Sequence, residues 1–160
     1  MVEIKLKAMT DQMYHDFFKE YENDKALFKS EEEYSKYTYS REKVDSYIKR
    51  VKVHNRIPLA IMKGDQIVGE ILFKDIIQRK CASFSIVLKN SKYINQGIGT
   101  QAEKLAIEYG FRELELRAIC VDTLATNTRS QHVLEKNGFR LVRVEDGYKY
   151  YCIERYMFEY

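Results

Sequence analysis

A short glycine-containing segment is the part of the sequence that most plainly suggests binding chemistry. It reads Tyr93-Ile94-Asn95-Gln96-Gly97-Ile98-Gly99-Thr100 and lies between a predicted strand and a predicted amphipathic helix. Gly97 and Gly99 let the backbone approach a ligand closely, and the first turn of a helix offers unpaired N–H groups with a partial positive charge. The segment therefore predicts a loop that binds an anion.

Two nucleotide-binding patterns use a similar placement, and the sequence departs from both. The dinucleotide-binding pattern needs a third glycine, which is missing, although Asp122 after a later strand is a weak match to its acidic residue. The phosphate loop of nucleotide triphosphatases needs a lysine between the glycine and the Ser or Thr, and here Thr100 follows Gly99 directly. A nucleotide-binding regulator is therefore the weaker alternative.

A second informative segment covers residues 127–139. Asn127 can cap a helix by accepting a hydrogen bond from its first turn, and Ser130 adds a hydroxyl one turn later. Asn137-Gly138 followed by Phe139 is typical of a left-handed helix end with an apolar residue after it. The segment predicts a short helix that begins with two polar side chains.

Together the two segments resemble the GNAT superfamily of N-acetyltransferases. The acyl-CoA pyrophosphate loop of that family reads Arg/Gln-x-x-Gly-x-Gly/Ala, and residues 96–100 match its second half, whereas Ile94 stands at its first position. Residues 127–139 look like the family's Asn-x-x-Ser helix ending in Gly-Phe, in particular like the branch that contains ribosomal-protein N-terminal acetyltransferases. The element order agrees over the whole chain, so residues 1–160 are expected to form a single N-acetyltransferase domain.

The resemblance implies acetyl-CoA as a cosubstrate, with no metal. In the family, the strand before the glycine loop separates from its neighbour and leaves main-chain groups free for the pantetheine arm. The residues implied to bind the cofactor are Val87, Leu88, Lys89, Gln96, Gly97, Ile98, Gly99, Thr100, Asn127 and Ser130.

The implied reaction is direct attack of a primary amine on the thioester, which needs a proton acceptor and a proton donor. Many family members carry a tyrosine as the acid at the position of Leu134, so another group must serve here. The candidates for the acid are Ser130, a water molecule, Tyr148, Tyr150 and Tyr151, unless the thiolate leaves unprotonated. The candidates for the base are Glu70 on the third strand, Glu145 in the final hairpin and a chain of water molecules.

The cysteines and histidines are scattered. Cys81, Cys120 and Cys152 are odd in number and far apart, and they fall on predicted strands, so we expect small core residues and no disulfide framework. His15, His54 and His132 show no ligand spacing. A metal enzyme is therefore disfavoured, and a reducing cytoplasm is the expected compartment.

Hydrophobic periodicity predicts an α/β fold with a mixed sheet and the order β-α-α-β-β-β-α-β-α-β-β. The resemblance to the GNAT superfamily implies that the central sheet is mostly antiparallel and flanked by helices. In the first strand, the apolar residues Val2, Ile4 and Leu6 alternate with charged ones. Helices are expected to be capped by Thr10 or Asp11, by Ser40 and by Asn127. The later strands are expected at 58–62, 67–73, 81–88, 114–121, 139–144 and 148–158, with the long helix at 99–111.

Composition limits the classes of partner. With 27 basic and 24 acidic side chains, the chain has no charge excess that would indicate nucleic acid, and no stretch indicates a signal peptide or membrane span. We expect a monomer or homodimer that acts on the amine of a protein amino terminus or of a small molecule. A catalytically weak CoA-binding sensor or interaction module is the alternative function.

Overall fold

The computed structural model describes residues 3–158, which form one seven-stranded sheet with helices on both faces. The strands are β1 (Ile4–Ala8), β2 (Ile57–Lys63), β3 (Gln66–Ile77), β4 (Cys81–Leu88), β5 (Ala118–Leu124), β6 (Arg140–Glu145) and β7 (Tyr148–Glu154). The helices are α1 (Asp11–Lys19), α2 (Arg41–Val53), α3 (Ile98–Arg112), α4 (Thr128–Lys136) and α5 (Arg155–Phe158). Short 3-10 helices cover Lys25–Leu27 and Ser91–Tyr93.

The sheet has the strand order β1-β2-β3-β4-β5-β7-β6, and every neighbouring pair is antiparallel except β4 with β5. This confirms the predicted α/β fold with its mostly antiparallel mixed sheet. The parallel pair β4–β5 is in register only at Cys81 with Ala118 and Ala82 with Ile119. Beyond these residues the two strands separate, which opens the middle of the sheet.

Side-chain caps start three of the helices at the predicted residues. Thr10 accepts a hydrogen bond from the N–H of Met13 at the start of α1, Ser40 caps α2, and Asn127 caps α4. These caps satisfy N–H groups that a helix leaves without a partner in its first turn. The long helix α3 is different, because it begins at Gly97 without a side-chain cap.

The two faces of the sheet have separate hydrophobic cores. Alternate residues of a strand point to opposite faces, and in β2 Leu59 and Ile61 join the core of α3 whereas Ala60 joins that of α1 and α2. The larger core includes Leu134 of α4, so α3 and α4 share one face. The smaller core brings together Met9, Tyr14, Val44, Ile48 and Ala60.

Gly69 allows β3 and β4 to approach closely beside the opening. A Cβ atom at this position would lie 2.6 Å from the carbonyl oxygen of Val87 and 3.1 Å from the side chain of Leu88. A Cβ at Gly110 of α3 would similarly lie 2.8 Å from the side chain of Ile119. Gly69 is required by this packing because the atom in the way belongs to the main chain, whereas at Gly110 it is the end of a side chain.

The bounds of three predicted strands were wrong. The third strand was expected to end at residue 73 and extends to Ile77. The fifth strand was expected at 114–121 and lies at Ala118–Leu124. The apolar residues before it belong to the turn that ends α3, where the N–H of Leu116 donates to Gly110 O at 3.0 Å and its side chain is buried. The last strand ends at Glu154 because the chain turns into α5. Val2, expected in the first strand, lies outside the described residues.

The expectation of no disulfide was also wrong. Cys120 and Cys152 lie directly opposite each other on β5 and β7 and form a disulfide, although 32 positions separate them in sequence. Cys120 is exposed, so it is not a core residue. Cys81 is a free, half-buried thiol.

No helix within residues 3–158 has both the length and the apolar character needed to cross a membrane.

Candidate active site

A cavity of about 540 Å³ lies where β4 and β5 separate. Its walls come from five parts of the chain: the loop after α1, the ends of β4 and β5, the glycine loop with the first turns of α3, the helix α4 and the start of β7. The residues that concern us are Glu22, Asp24, Val87, Leu88, Gly97, Gly99, Thr100, Glu103, Asp122, Asn127, Arg129, Ser130, His132, Leu134, Lys136 and Tyr148.

The glycine loop presents main-chain N–H groups at one end of this cavity. Gly97 has a left-handed backbone with φ of +78°. Its carbonyl oxygen accepts the first hydrogen bond of α3, from the N–H of Gln101 at 3.1 Å. The N–H groups of the residues between them precede that first helical bond, and no side chain caps them. A Cβ atom at Gly99 would meet no atom within 4 Å, so the space beside it is open. The arrangement suits an anion such as a phosphate.

Three of the five predicted loop residues line the cavity: Gly97, Gly99 and Thr100. The other two do not present their side chains to it. Gln96 donates from Nε2 to the carbonyl oxygen of Lys92 at 2.6 Å, which closes the loop on itself. Ile98 is fully buried in the larger core.

The end of β4 supplies Val87 and Leu88 to the cavity wall, as expected. Lys89 differs from expectation, because its main chain is already bonded. Its N–H donates to Val68 O at 2.7 Å and its carbonyl accepts from the N–H of Glu22 at 2.9 Å, while its ammonium pairs with Glu20 at 3.0 Å. Lys89 therefore fastens the loop after α1 to the sheet.

The first turn of α4 places Asn127 and Ser130 in the cavity wall together. Asn127 Oδ1 accepts a hydrogen bond from the N–H of Ser130 at 3.1 Å. Leu134 also lines the cavity and is buried, so the tyrosine expected from the family is replaced by an apolar side chain.

One of the three candidate tyrosines, Tyr148, reaches the cavity. The ammonium of Lys29 lies 5.1 Å from the centroid of its ring. Tyr150 instead packs against the guanidinium of Arg143 at 4.2 Å, and the buried Tyr151 donates from its hydroxyl to Glu135 at 3.0 Å.

Neither predicted base lines the cavity. Glu70 lies directly opposite Val87 in the register of β3 and β4, on the face of the sheet that α1 and α2 cover, and is 3% exposed. It accepts hydrogen bonds there from the hydroxyls of Tyr14 and Tyr47, and burial raises the pKa of its carboxyl. Glu145 is exposed on β6, where Arg143 lies 3.3 Å from it. Neither carboxylate is part of the cavity wall, and the assignment of the base stays a prediction.

A buried carboxyl that the sequence analysis missed does line the cavity. Glu103 of α3 is 2% exposed, and its Oε2 has no hydrogen-bond partner among residues 3–158. Burial raises the pKa of this carboxyl to about 8, and a hydrogen bond from Asn137 partly offsets the rise. The raised pKa favours the protonated carboxyl at neutral pH, and Oε2 of Glu103 is a buried polar atom without a hydrogen-bond partner among the described residues.

The cavity wall also contains charged side chains that periodicity did not indicate. Glu22, Asp24 and Asp122 contribute carboxylates. Asp24 pairs with the guanidinium of Arg129, whereas no cation within the described residues pairs with Glu22 or Asp122. The cavity wall thus contains two carboxylates without a cationic partner among residues 3–158, close to the glycine loop.

A family model described as acetyltransferase (GNAT) domain matches residues 3–140. The Bacillus subtilis protein named uncharacterized N-acetyltransferase YnaD is 25% identical over 119 residues, which are 73% of this chain and 67% of the relative.

Solved structures share the fold. The structure of AAC(6')-Ib, an aminoglycoside acetyltransferase, in complex with ribostamycin and coenzyme A has a TM-score of 0.79 at 18% identity, covering 98% of this chain and 96% of that one. A spermidine N-acetyltransferase SpeG chimera from Vibrio cholerae and hSSAT has a TM-score of 0.75 at 17% identity, covering 98% of each chain. These likenesses do not single out the ribosomal-protein branch.

Proposed function

The chain belongs to the acetyltransferase (GNAT) domain family, and we propose that it acetylates a primary amine of a small, positively charged molecule. It is an N-acetyltransferase that uses acetyl-CoA. The finer choice of acceptor depends on one observation, the unpaired carboxylates of Glu22 and Asp122 in the cavity wall.

The residues of the cavity fit acetyl-CoA, which supplies an acetyl group activated as a thioester. The uncapped start of α3 and the open space beside Gly99 suit the pyrophosphate, and Lys136 adds a cation to the same cavity. The ends of β4 and β5 separate and leave space for the pantetheine arm along Val87 and Leu88. These residues support the proposed cofactor site.

The carboxylates favour a cationic acceptor because amines are protonated at neutral pH. An ammonium group gains attraction from Glu22 and Asp122, and binding brings it to where a nearby carboxylate or water can remove one proton. The neutral nitrogen then forms the new C–N bond as the C–S bond breaks. Two of the similar structures carry names that specify aminoglycoside and spermidine acetylation, which is consistent with a small polyamine-like acceptor.

We assign the return of a proton to the departing sulfur to Ser130, with Tyr148 as the second candidate. Both side chains carry a hydroxyl and line the cavity. Leu134 stands where many family members carry a tyrosine, and leucine has no proton to donate, so a neighbouring residue must take this role.

An acceptor panel with detection of released CoA thiol tests the proposal. Spermidine and an aminoglycoside should give kcat/KM values at least about tenfold above those for peptides with free amino termini, and Glu22→Gln or Asp122→Asn should raise KM for the cationic acceptors. Asp65→Asn, an exposed change in the β2–β3 turn, is the matched control. Preference for a peptide amino terminus would instead favour the ribosomal-protein branch and overturn the small-molecule proposal.

A further inference from the structure

Strand β6 ends the sheet and is exposed along its whole length. It is paired with β7 on one side, and no other described strand pairs with its outer edge. All six of its residues are exposed, among them Leu141 at 48%, Val142 at 61% and Val144 at 59%. A strand edge of this kind is a template for pairing with another strand.

The opposite edge of the sheet, β1, does not expose apolar side chains in this way. β1 carries Lys5 and Lys7 at exposed positions, and its apolar residues Ile4 and Leu6 belong to the larger core. Exposed lysines protect a sheet edge from pairing with other chains. β6 is therefore the edge that offers apolar side chains.

A bulge sorts the side chains of β6 onto two faces. Val142 is the extra residue, because Leu141 pairs with Tyr151 and Arg143 with Tyr150. Residues directly opposite in an antiparallel pair share a face, so Leu141 and Val144 fall on one face of the sheet. Arg140, Arg143 and Glu145 fall on the other.

We propose that β6 pairs antiparallel with β6 of a second copy of this chain and joins the two sheets across a two-fold axis between Val142 and Arg143. In this register Arg140 lies opposite Glu145 of the second copy, and Leu141 lies opposite Val144 of the second copy. Both pairings match in chemistry, one as opposite charges and the other as apolar side chains. The two residues of each pair also lie on the same face of the joined sheet, because of the bulge at Val142.

Neighbouring registers are less favourable. A shift of one residue in one direction puts Arg143 opposite Arg143 of the second copy, which repels. A shift in the other direction puts Leu141 opposite Arg143. The guanidinium of Arg143 already has partners within its own chain: Glu145 lies 3.3 Å from it, and the centroid of the Tyr150 ring lies 4.2 Å from it. Arg140 pairs with no carboxylate within residues 3–158 and is therefore the cation available to a second copy.

Sedimentation velocity over a range of protein concentrations tests the proposal with charge reversals. The wild-type chain should be a dimer at tens of micromolar protein. Arg140→Glu and Glu145→Arg should each raise the dimer dissociation constant at least about tenfold, because each places like charges opposite each other twice across a two-fold axis. The double variant carrying both reversals should dimerise again.

Mixing the two single variants gives the sharpest result. Each alone should sediment as a monomer, and together they should form a heterodimer, since every position then faces an opposite charge. Rescue of this kind also shows that both variants fold. Arg41→Glu, an exposed reversal at the start of α2, is the control and should leave the dimer intact. A wild-type monomer at 100 µM, or a dimer that both single reversals leave unchanged, would overturn the proposal.

Discussion

Asn127 and Ser130 are joined by a hydrogen bond in which the side-chain oxygen of Asn127 accepts from the main-chain N–H of Ser130 at 3.1 Å. The bond uses the amide of one residue and the backbone of the other, so the hydroxyl of Ser130 is not part of the cap. Substitutions can therefore separate the structural role of this helix start from its chemistry.

Ser130→Ala should lower turnover about ten- to a thousandfold while changing CoA affinity little, because the hydroxyl is proposed to protonate the departing thiolate. Steady-state kinetics with a competent amine, together with CoA titration, measure both quantities. Thr128→Ala, on the exposed side of the same turn, is the control. Wild-type turnover in Ser130→Ala would transfer the role to Tyr148 or to solvent.

Asn127→Ala should lower the free energy of unfolding by about 1 kcal/mol through loss of the cap, and it should weaken acetyl-CoA binding as well. Denaturant titration and calorimetry measure the two effects. Asn127→Ser keeps a capping oxygen and should recover most of the stability. If it also recovers full cofactor affinity, Asn127 acts on the cofactor only by holding the helix.

Gly99→Val should remove the stabilisation by CoA while leaving the free protein folded, since the new side chain would project into open space beside α3. At about 100 times the dissociation constant, CoA should stabilise the wild-type chain by about 2.7 kcal/mol. Lys104→Val, exposed on the same helix, is the control. An undiminished thermal shift in Gly99→Val would contradict the assignment of the loop.

Glu103 should make stability depend on pH. Burial raises its pKa to about 8 in the folded chain, against an ordinary value of 4.5, so the folded state holds a proton that the unfolded state loses over this range. Stability relative to Glu103→Gln should therefore fall as pH rises from about 4.5 to 8, by on the order of 4 kcal/mol in total. Denaturant titrations of both proteins at several pH values measure the difference. A constant difference would show that the carboxyl is ionised in the folded chain.

The disulfide should stabilise the oxidised chain. Cys120→Ser should lower the free energy of unfolding by about 3 to 4 kcal/mol under oxidising conditions, since the bridge closes a loop of 32 positions. Cys81→Ser, at the free thiol, is the control: it keeps the bridge and should lose stability on addition of a reductant as the wild-type chain does, whereas Cys120→Ser should behave alike with and without a reductant. Equal stability of wild type and Cys120→Ser without reductant would argue against the bridge in solution.

Features that depend on neighbours in sequence were predictable. Thr10, Ser40 and Asn127 cap their helices because a capping side chain bonds to an N–H only two or three residues away. The glycine loop was predictable for the same reason, since a left-handed turn and a helix start are local events.

Features that depend on contacts between distant segments were not. The pairing of Cys120 with Cys152 follows from the register of β5 and β7, which the linear sequence does not show. The loop after α1 reaches the cavity through a hydrogen bond from Glu22 to Lys89, and no periodic pattern marks it. Glu103 was the exception that could have been found, because it shares the buried stripe of α3 with Ala106 and Ile107.

Gly69 also bears on how this protein can vary. A side chain there would collide with the carbonyl oxygen of Val87, which belongs to the cavity wall, although the glycine is not part of that wall. A substitution at Gly69 would therefore displace the main chain of Val87, which we propose to lie along the pantetheine arm of the cofactor. In a survey of random substitutions, position 69 should accordingly lose activity as often as a position in the cavity wall, although it lies one strand away from the cavity.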